Sequence, residues 1–254
     1  MKCSGIDLHI HSTASDGTNS PSEILQLATQ LNLGAIAITD HDTLKGVKQA
    51  LSCGIPRSLK FLTGVEISSN PPPSFSAPGS LHILGYGIKT DDKQMNDMLG
   101  KLQDARINRN PKIITRLNQT GLDISLSEVM EKAGTGQPGR PHIAMLMVEK
   151  GMVKSVNEAF DLFLGKGKPA YVDKPRIESS EAIRTIINAG GIPVLAHPGL
   201  VKSDSGDSIE RLIDTLMGMG LKGVEAYYPG HTSDQTAKYH ELAKKNNLLI
   251  TGGS

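Results

Sequence analysis

The sequence predicts an α/β fold: a closed or nearly closed β/α barrel of seven strands, TIM-barrel-like, with a small helical insertion. Three observations point there. Short apolar runs alternate with segments of helical spacing, the pattern of parallel strands joined by crossover helices. Metal-capable side chains stand at or near the C-terminal ends of separate runs, where a parallel barrel builds its site. From about Lys101 to Val172 the strand rhythm stops and only helix-like stretches remain. An open doubly wound sheet is the alternative, and it is less suited to bringing so many strand ends to one point.

The first strand runs into Asp7-Leu8-His9-Ile10-His11-Ser12-Thr13-Ala14-Ser15-Asp16-Gly17. Ile6, Leu8 and Ile10 alternate with Asp7, His9 and His11, so a period of two sends the aliphatics to one face and both imidazoles to the other. His9 and His11 can then share one cation; the competing reading is an edge strand with incidental histidines. Ser20-Pro21-Ser22-Glu23 is a capping box with proline at the first helical position, followed by Ile24, Leu27, Ala28 and Leu31 at helical spacing. Ala35 to Thr39 is a short apolar run of the kind covered on both faces, and it leads into Asp40-His41-Asp42.

A helix-like stretch from Leu44 to Cys53 precedes a strand from Phe61 to Ile67 that delivers Glu66. The next strand, Leu81 to Tyr86, carries His82. Between them Asn70 to Gly79 is too rich in Pro and Ser for regular structure, and reads as a plain surface loop or as a flap over the site. Helices are expected around Arg106 to Thr120, Leu126 to Lys132, His142 to Lys150 and Val156 to Leu164. Helix Ser180 to Ala189 then leads to a strand from Ile192 that finishes in His197. Helix Ile209 to Met219 leads to strand Gly223 to Tyr227, and helix Asp234 to Asn246 to strand Leu248 to Gly252. The expected division is residues 1–100 for the first part of the barrel, 101–172 for the helical insertion and 173–254 for the second part.

Bulk properties narrow the function. Net charge is +1, from 27 basic and 26 acidic residues, so no overall field draws the chain onto DNA or an anionic membrane, and neither is expected as a partner. Tryptophan is absent and aromatics make up 4%, which leaves few platforms for stacking bases. Cys3 and Cys53 suggest no disulfide framework. With no apolar signal core after Met1 and no run long enough to span a bilayer, a cytoplasmic location is expected. No nucleophile elbow, Walker loop or dinucleotide fingerprint is present.

His9, His11, Asp16, His41, Glu66, His82 and His197 are more ligands than one cation uses, so two or three divalent metals are expected. Mixed imidazole and carboxylate donors suit Mn²⁺, Zn²⁺ or Fe²⁺. Glu66 can bridge two of them, and a metal-bound hydroxide can attack a phosphoryl group whose oxygens the cations neutralise. Phosphoester hydrolysis is the chemistry this set suits. Asp40 reads as an orienting residue for His41 or a bound water, a part Asp42 can also play.

These residues together, His9-Ile10-His11 with Ser15-Asp16-Gly17, Thr39-Asp40-His41-Asp42, Gly64-Val65-Glu66, His82 and Ala196-His197-Pro198-Gly199, resemble the PHP phosphoesterase superfamily over essentially the whole chain. Within it, Gly139-Arg140-Pro141-His142-Ile143-Ala144 is similar to a bacterial group of nucleoside 3′,5′-bisphosphate phosphatases, some of which are also 5′→3′ exonucleases on short RNA. The resemblance implies a distorted seven-stranded barrel with a trinuclear site. It assigns His9, His11 and Glu66 to the first metal, Glu66, His82 and His197 to the second, and Asp16 with His41 to the third. In the family pattern an Asp and then a His follow Gly-Ser and complete the first and third sites; the chain ends at Gly252-Gly253-Ser254, so partial occupancy of those two sites is expected.

Arg140 and His142, at a Gly-rich turn opening a helix, form an expected phosphate grip. Arg106 and Arg109, at i and i+3, reach the same pocket or form a solvated basic face. His231 follows a strand end and can contact substrate or protonate the leaving oxygen, and Tyr228 can stack on a base. The expected partners are a small nucleotide or another phosphorylated small molecule, and short RNA ends. Histidinol phosphate is the alternative substrate. A C–N hydrolase of the amidohydrolase type also opens with His-x-His, but none of the strand ends supplies its bridging Lys. A metal-binding regulatory or structural module without activity is the non-enzymatic alternative.

Overall fold

In the computed structural model, which describes residues 5–75, 81–134, 138–173, 176–201 and 208–254, strand β1 (Ile6–Ile10) pairs in parallel with β2 (Ala35–Ile38) and β2 with β3 (Lys60–Asn70). Helices α1 (Pro21–Gln30) and α2 (Lys45–Cys53) make the crossovers. The capping box at α1 forms as its spacing predicts. The amide of Ser20 donates to Glu23 Oε2 at 2.7 Å, and that of Glu23 to Ser20 Oγ at 3.3 Å.

Strand β4 (Leu81–Tyr86) departs from the expected all-parallel pairing. It runs antiparallel both to β3 and to β6 (Ile192–Leu195). Only residues 71–80 separate β3 from β4, too short a stretch for a parallel crossover, and the two strands pair as antiparallel neighbours. His82 therefore enters the site from the beginning of its strand, while Glu66 comes from the far half of β3 and His11, His41 and His197 from just past the ends of β1, β2 and β6. The flap reading of that loop falls partly on residues 76–80, outside the described residues, as does Cys3.

Beyond β4 come α3 (Lys93–Gln119), α4 (Leu126–Ala133), α5 (Arg140–Glu149), α6 (Val156–Ala159) and a π-helical turn, Phe160–Leu164. A two-residue strand β5 (Ile177–Glu178), not expected from sequence, pairs with the end of β3. Helix α7 (Ser179–Asn188) leads to β6, α8 (Ile209–Gly218) to β7 (Gly223–Tyr227) and α9 (Ser233–Lys245) to β8 (Leu249–Gly252). Sheet order is β1-β2-β3-β4-β6-β7-β8, with β5 off this path. Strands β8 and β1 approach without a ladder between them. The Ser254 amide donates to Asp7 at 3.1 Å, and the barrel is nearly closed.

The core has three parts. Ile36, Ile38, Val65, Ile67, Ile83 and Val224 face the surrounding helices. Ala37, Leu84, Tyr86, Val194 and Ala196, with Leu8 and Leu62, fill the barrel interior beneath the site. A separate cluster, including Ile113, Leu117, Ile143 and Leu164, holds the helical segment together. Helix α3 joins two of these: Met95, Leu99 and Leu102 belong to the barrel core and Ile113 and Leu117 to the helical one, so one helix runs across the boundary expected at residue 101. Among the described residues, no helix is long and apolar enough to cross a membrane.

Leu84 is fully buried in the barrel interior. Leu84→Ala is expected to cost about 2–5 kcal/mol, read as a lower denaturant midpoint at unchanged slope. An unchanged midpoint would show that this layer does not support the barrel.

Candidate metal centre

Glu66 lies at the centre of the site. It is buried on β3, between the chain segments on either side. The Asp42 amide donates to the Glu66 carbonyl at 2.9 Å and the Glu66 amide to the Asp40 carbonyl at 3.2 Å, extending the β2–β3 pairing past the end of β2. Its two carboxylate oxygens face different partners. Oε1 lies 2.8 Å from His82 Nδ1 and 2.8 Å from His197 Nε2. Oε2 lies 2.9 Å from His41 Nδ1, 3.1 Å from His11 Nε2 and 3.4 Å from His9 Nε2. Asp16 extends the group, with Oδ1 3.0 Å from His11 Nδ1 and Oδ2 3.8 Å from His41 Nε2.

All seven residues singled out as metal ligands thus meet. His9, His11 and Glu66 offer convergent ligand atoms, as do His11, Asp16 and His41, and His41, Glu66 and His82. His9 and His11 meet Nε2 to Nε2 at 3.1 Å, although a register irregularity between Asp7 and Ile10 places Leu8 in the barrel interior and Ile10 on the helix-facing side.

The donor set fits divalent cations. Although 2.9 Å apart, Glu66 Oε2 and His41 Nδ1 are not aligned for a hydrogen bond, and these two atoms and His197 Nδ1 are buried without a hydrogen-bond partner among the described residues, a costly state for polar atoms that a bound cation relieves. The electrostatics agree. Burial disfavours charge on His9, yet Glu66 and Glu225 hold its pKa up at about 9. Burial likewise opposes charge on His11, and Asp16 and Glu66 hold it at about 10. Burial dominates at His82, which falls to about 4 despite Glu66. Glu66 would be pushed up by burial, but His41, His82 and His9 bring it well below the usual carboxylate range.

One wall is cationic. A cavity of about 120 Å³ is lined by Asp16, His41 and His82 on one side and by Arg106, Arg109, Arg140 and Phe160 on the other. Arg106 Nη2 donates to Asp42 Oδ2 at 2.9 Å. Arg140 donates to the Leu164 carbonyl at 3.0 Å and stands 5.6 Å from the ring centres of both Phe160 and Tyr171. Arg109 is only 7% exposed and its Nε has no partner among the described residues. Burial, then the nearby Arg140 and Arg106, disfavour its charge and lower its pKa to about 9. His142, expected beside Arg140 on a substrate phosphate, instead accepts the Gly139 amide on Nδ1 at 3.2 Å and is not among the residues lining this cavity.

Two expected roles change. Asp40 does not orient His41: its Oδ1 accepts from the Ser12 amide at 2.7 Å and Ser15 Oγ at 2.6 Å, and its Oδ2 from Ser12 Oγ at 2.7 Å. It holds the turn that carries His11 and Asp16, and Gly46 gives it room, since a Cβ there would lie 2.0 Å from Asp40 Oδ2. His231 has no ring nitrogen to spare for a leaving group. Its Nδ1 pairs with the Ala226 carbonyl at 2.9 Å and its Nε2 accepts the Gly199 amide at 3.2 Å. It braces the turn after His197. Tyr228 lies at the open side, its ring 5.3 Å from that of His197, lining a cavity of about 430 Å³ with the histidines.

Sequence reasoning missed Glu225. It is fully buried on β7, with Oε1 2.8 Å from His9 Nδ1 and Oε2 accepting the His197 amide at 2.7 Å. The available signal was an acidic residue inside the otherwise apolar run Gly223 to Tyr227, where an unpaired charge is expensive.

Comparison with known proteins agrees with the geometry. A PHP domain match covers residues 7–178. A 3′,5′-nucleoside bisphosphate phosphatase of Chromobacterium violaceum is 31% identical, over 98% of this chain and 86% of the relative. A 5′-3′ exoribonuclease of Haemophilus influenzae is 33% identical, over 98% of this chain and 88% of the relative. The crystal structure of a candidate metal-dependent phosphoesterase from Bifidobacterium adolescentis superposes with a TM-score of 0.87 at 28% identity, covering 99% of this chain and 87% of that one. With its histidines and carboxylates gathered at one end of a nearly closed barrel, this chain belongs to the PHP domain family.

Proposed function

We propose that this protein is a metal-dependent phosphoesterase acting on small nucleotides, with nucleoside 3′,5′-bisphosphates as its preferred substrates. The observation that carries this reading is a juxtaposition: a cavity of about 120 Å³ is lined on one side by Asp16, His41 and His82 and on the other by Arg106, Arg140 and Arg109, a buried guanidinium whose Nε has no partner among the described residues. The two sides suit two phosphates on one small molecule. Glu66, His82 and His197 would hold one cation, His9, His11 and Glu66 a second, and Asp16 with His41 a third; Mn²⁺, Zn²⁺ and Fe²⁺ all suit these donors. When bound, such cations neutralise phosphoryl oxygens and acidify water toward hydroxide.

The protein side supplies binding and orientation. Arg109 and Arg140 offer planar, fixed donors to a phosphate, and Asp42 keeps Arg106 aimed at the same cavity. Tyr228 provides a ring on the open side against which a base can stack. In this reading residues 101–172 form a recognition unit set into the barrel made by 1–100 and 173–254. A 5′-phosphorylated RNA end carries the same pair of phosphates on one ribose as a 3′,5′-bisphosphate, so short RNA is the natural second substrate. Histidinol phosphate, with one phosphate, would leave Arg109 unpaired. Such substrates and the free thiol of Cys53 suit a cytoplasmic setting.

Protein supplemented with Mn²⁺ is expected to release inorganic phosphate from a nucleoside 3′,5′-bisphosphate, and to prefer it over histidinol phosphate in direct competition. No release from the bisphosphate or from short 5′-phosphorylated RNA would refute the reading and favour a binding module without activity. Arg109→Met removes a charge-assisted contact of about 1.5–3 kcal/mol, so KM for the bisphosphate is expected to rise about 10–100-fold with little change for a nucleoside monophosphate. An equal loss on both substrates would place Arg109 outside the second phosphate site.

A further inference from the structure

Glu225 is a fully buried carboxylate that belongs to none of the convergent ligand groups among the described residues, yet it touches two ligands at once. Its Oε1 lies 2.8 Å from His9 Nδ1, and its Oε2 accepts the His197 amide at 2.7 Å. His197 needs such a hold. Its backbone sits at φ +27°, ψ +61°, a left-handed conformation rare for residues other than glycine, and it directs Nε2 to Glu66 Oε1.

We propose that Glu225 is a positioning residue for both halves of the metal centre: it keeps the proton of His9 on Nδ1, so that Nε2 is the ligating nitrogen, and it pins the turn that presents His197. The assignment rests on reading the histidine cluster as a metal site. Nδ1 of His9 lies 2.8 Å from Glu225, closer than the 3.4 Å between Nε2 and Glu66, so with a cation taking up Glu66 the proton stays on Nδ1 and the other ring nitrogen keeps its lone pair for the metal. For His9 that other nitrogen faces Glu66 and His11. Both oxygens of Glu225 are used as acceptors, one by each ligand, so the two halves share a single support.

The chemistry of glutamine makes the test sharp. Glu225→Gln keeps the shape but offers one acceptor and one donor. Its amide group cannot face the His197 N–H, so its oxygen goes there and its NH₂ faces His9 Nδ1. The proton of His9 must then move to Nε2, the ligating atom. Zn²⁺ affinity, measured by competition with a chromophoric chelator, is expected to fall about 10–100-fold. The ¹⁵N spectrum of the Zn²⁺-loaded variant is expected to lose the signature of a metal-bound His9 Nε2. Leu216→Ala, which removes a fully buried side chain of helix α8 that lines neither cavity at the centre, is expected to keep wild-type affinity. The proposal is overturned if the glutamine variant binds Zn²⁺ within about twofold of wild type with His9 still ligated through Nε2. It is also overturned if Leu216→Ala loses affinity to the same degree, since the effect would then be general loss of fold. Wild-type protein that bound no Zn²⁺ would remove the metal reading itself, an outcome distinct from the other two.

Discussion

The Glu66 carboxylate, buried at the end of the barrel with five imidazoles within 3.4 Å of its oxygens, sets the requirement the rest of the molecule meets. An isolated ionised carboxylate at that depth would cost several kcal/mol. Its compensation has to come from residues far apart in sequence, and a nearly closed barrel is an architecture that delivers them all to one point. His9 arrives on the first strand and His11 just past it, His41 just past the second, His82 at the start of the fourth and His197 past the sixth. The antiparallel turn of that fourth strand belongs to the same requirement, since a parallel strand would have carried His82 to the opposite end.

Around this centre other buried acids hold the chain in place. Asp40 gathers Ser12 and Ser15 and so sets the turn bearing His11 and Asp16. Asp42, itself at φ +56°, accepts from the Ser68 amide and from Arg106, linking the strand ends to the helical segment. Each of these acids fixes a piece of backbone beside the histidine cluster. Division of labour among carboxylates lets short loops carry a site that strands alone would not place finely enough.

Much of this was legible in the sequence. His-x-His on an alternating strand, and a ligand at the end of each of several apolar runs, report the barrel and the cluster because both follow from local periodicity and from topology. What the sequence did not show depends on the third dimension. Nothing local marks β4 as antiparallel except the shortness of the stretch before it, residues 71–80. Asp40 stands beside His41 in sequence, but its side chain points to Ser12, so adjacency suggested the wrong partner. His231 follows a strand end like the ligands, yet backbone groups use both its nitrogens. Glu225 reads as one acid in an apolar strand, and only the fold shows that it joins His9 to His197.

Whether Glu66 would hold more than one cation, one on each side of its carboxylate, is tested most directly by anomalous diffraction from crystals soaked in Mn²⁺. At least two separate anomalous peaks are expected, one near Glu66 Oε1, His82 and His197 and another near Oε2, His9 and His11. A single peak remote from Glu66, or none at concentrations that support phosphate release, would contradict it.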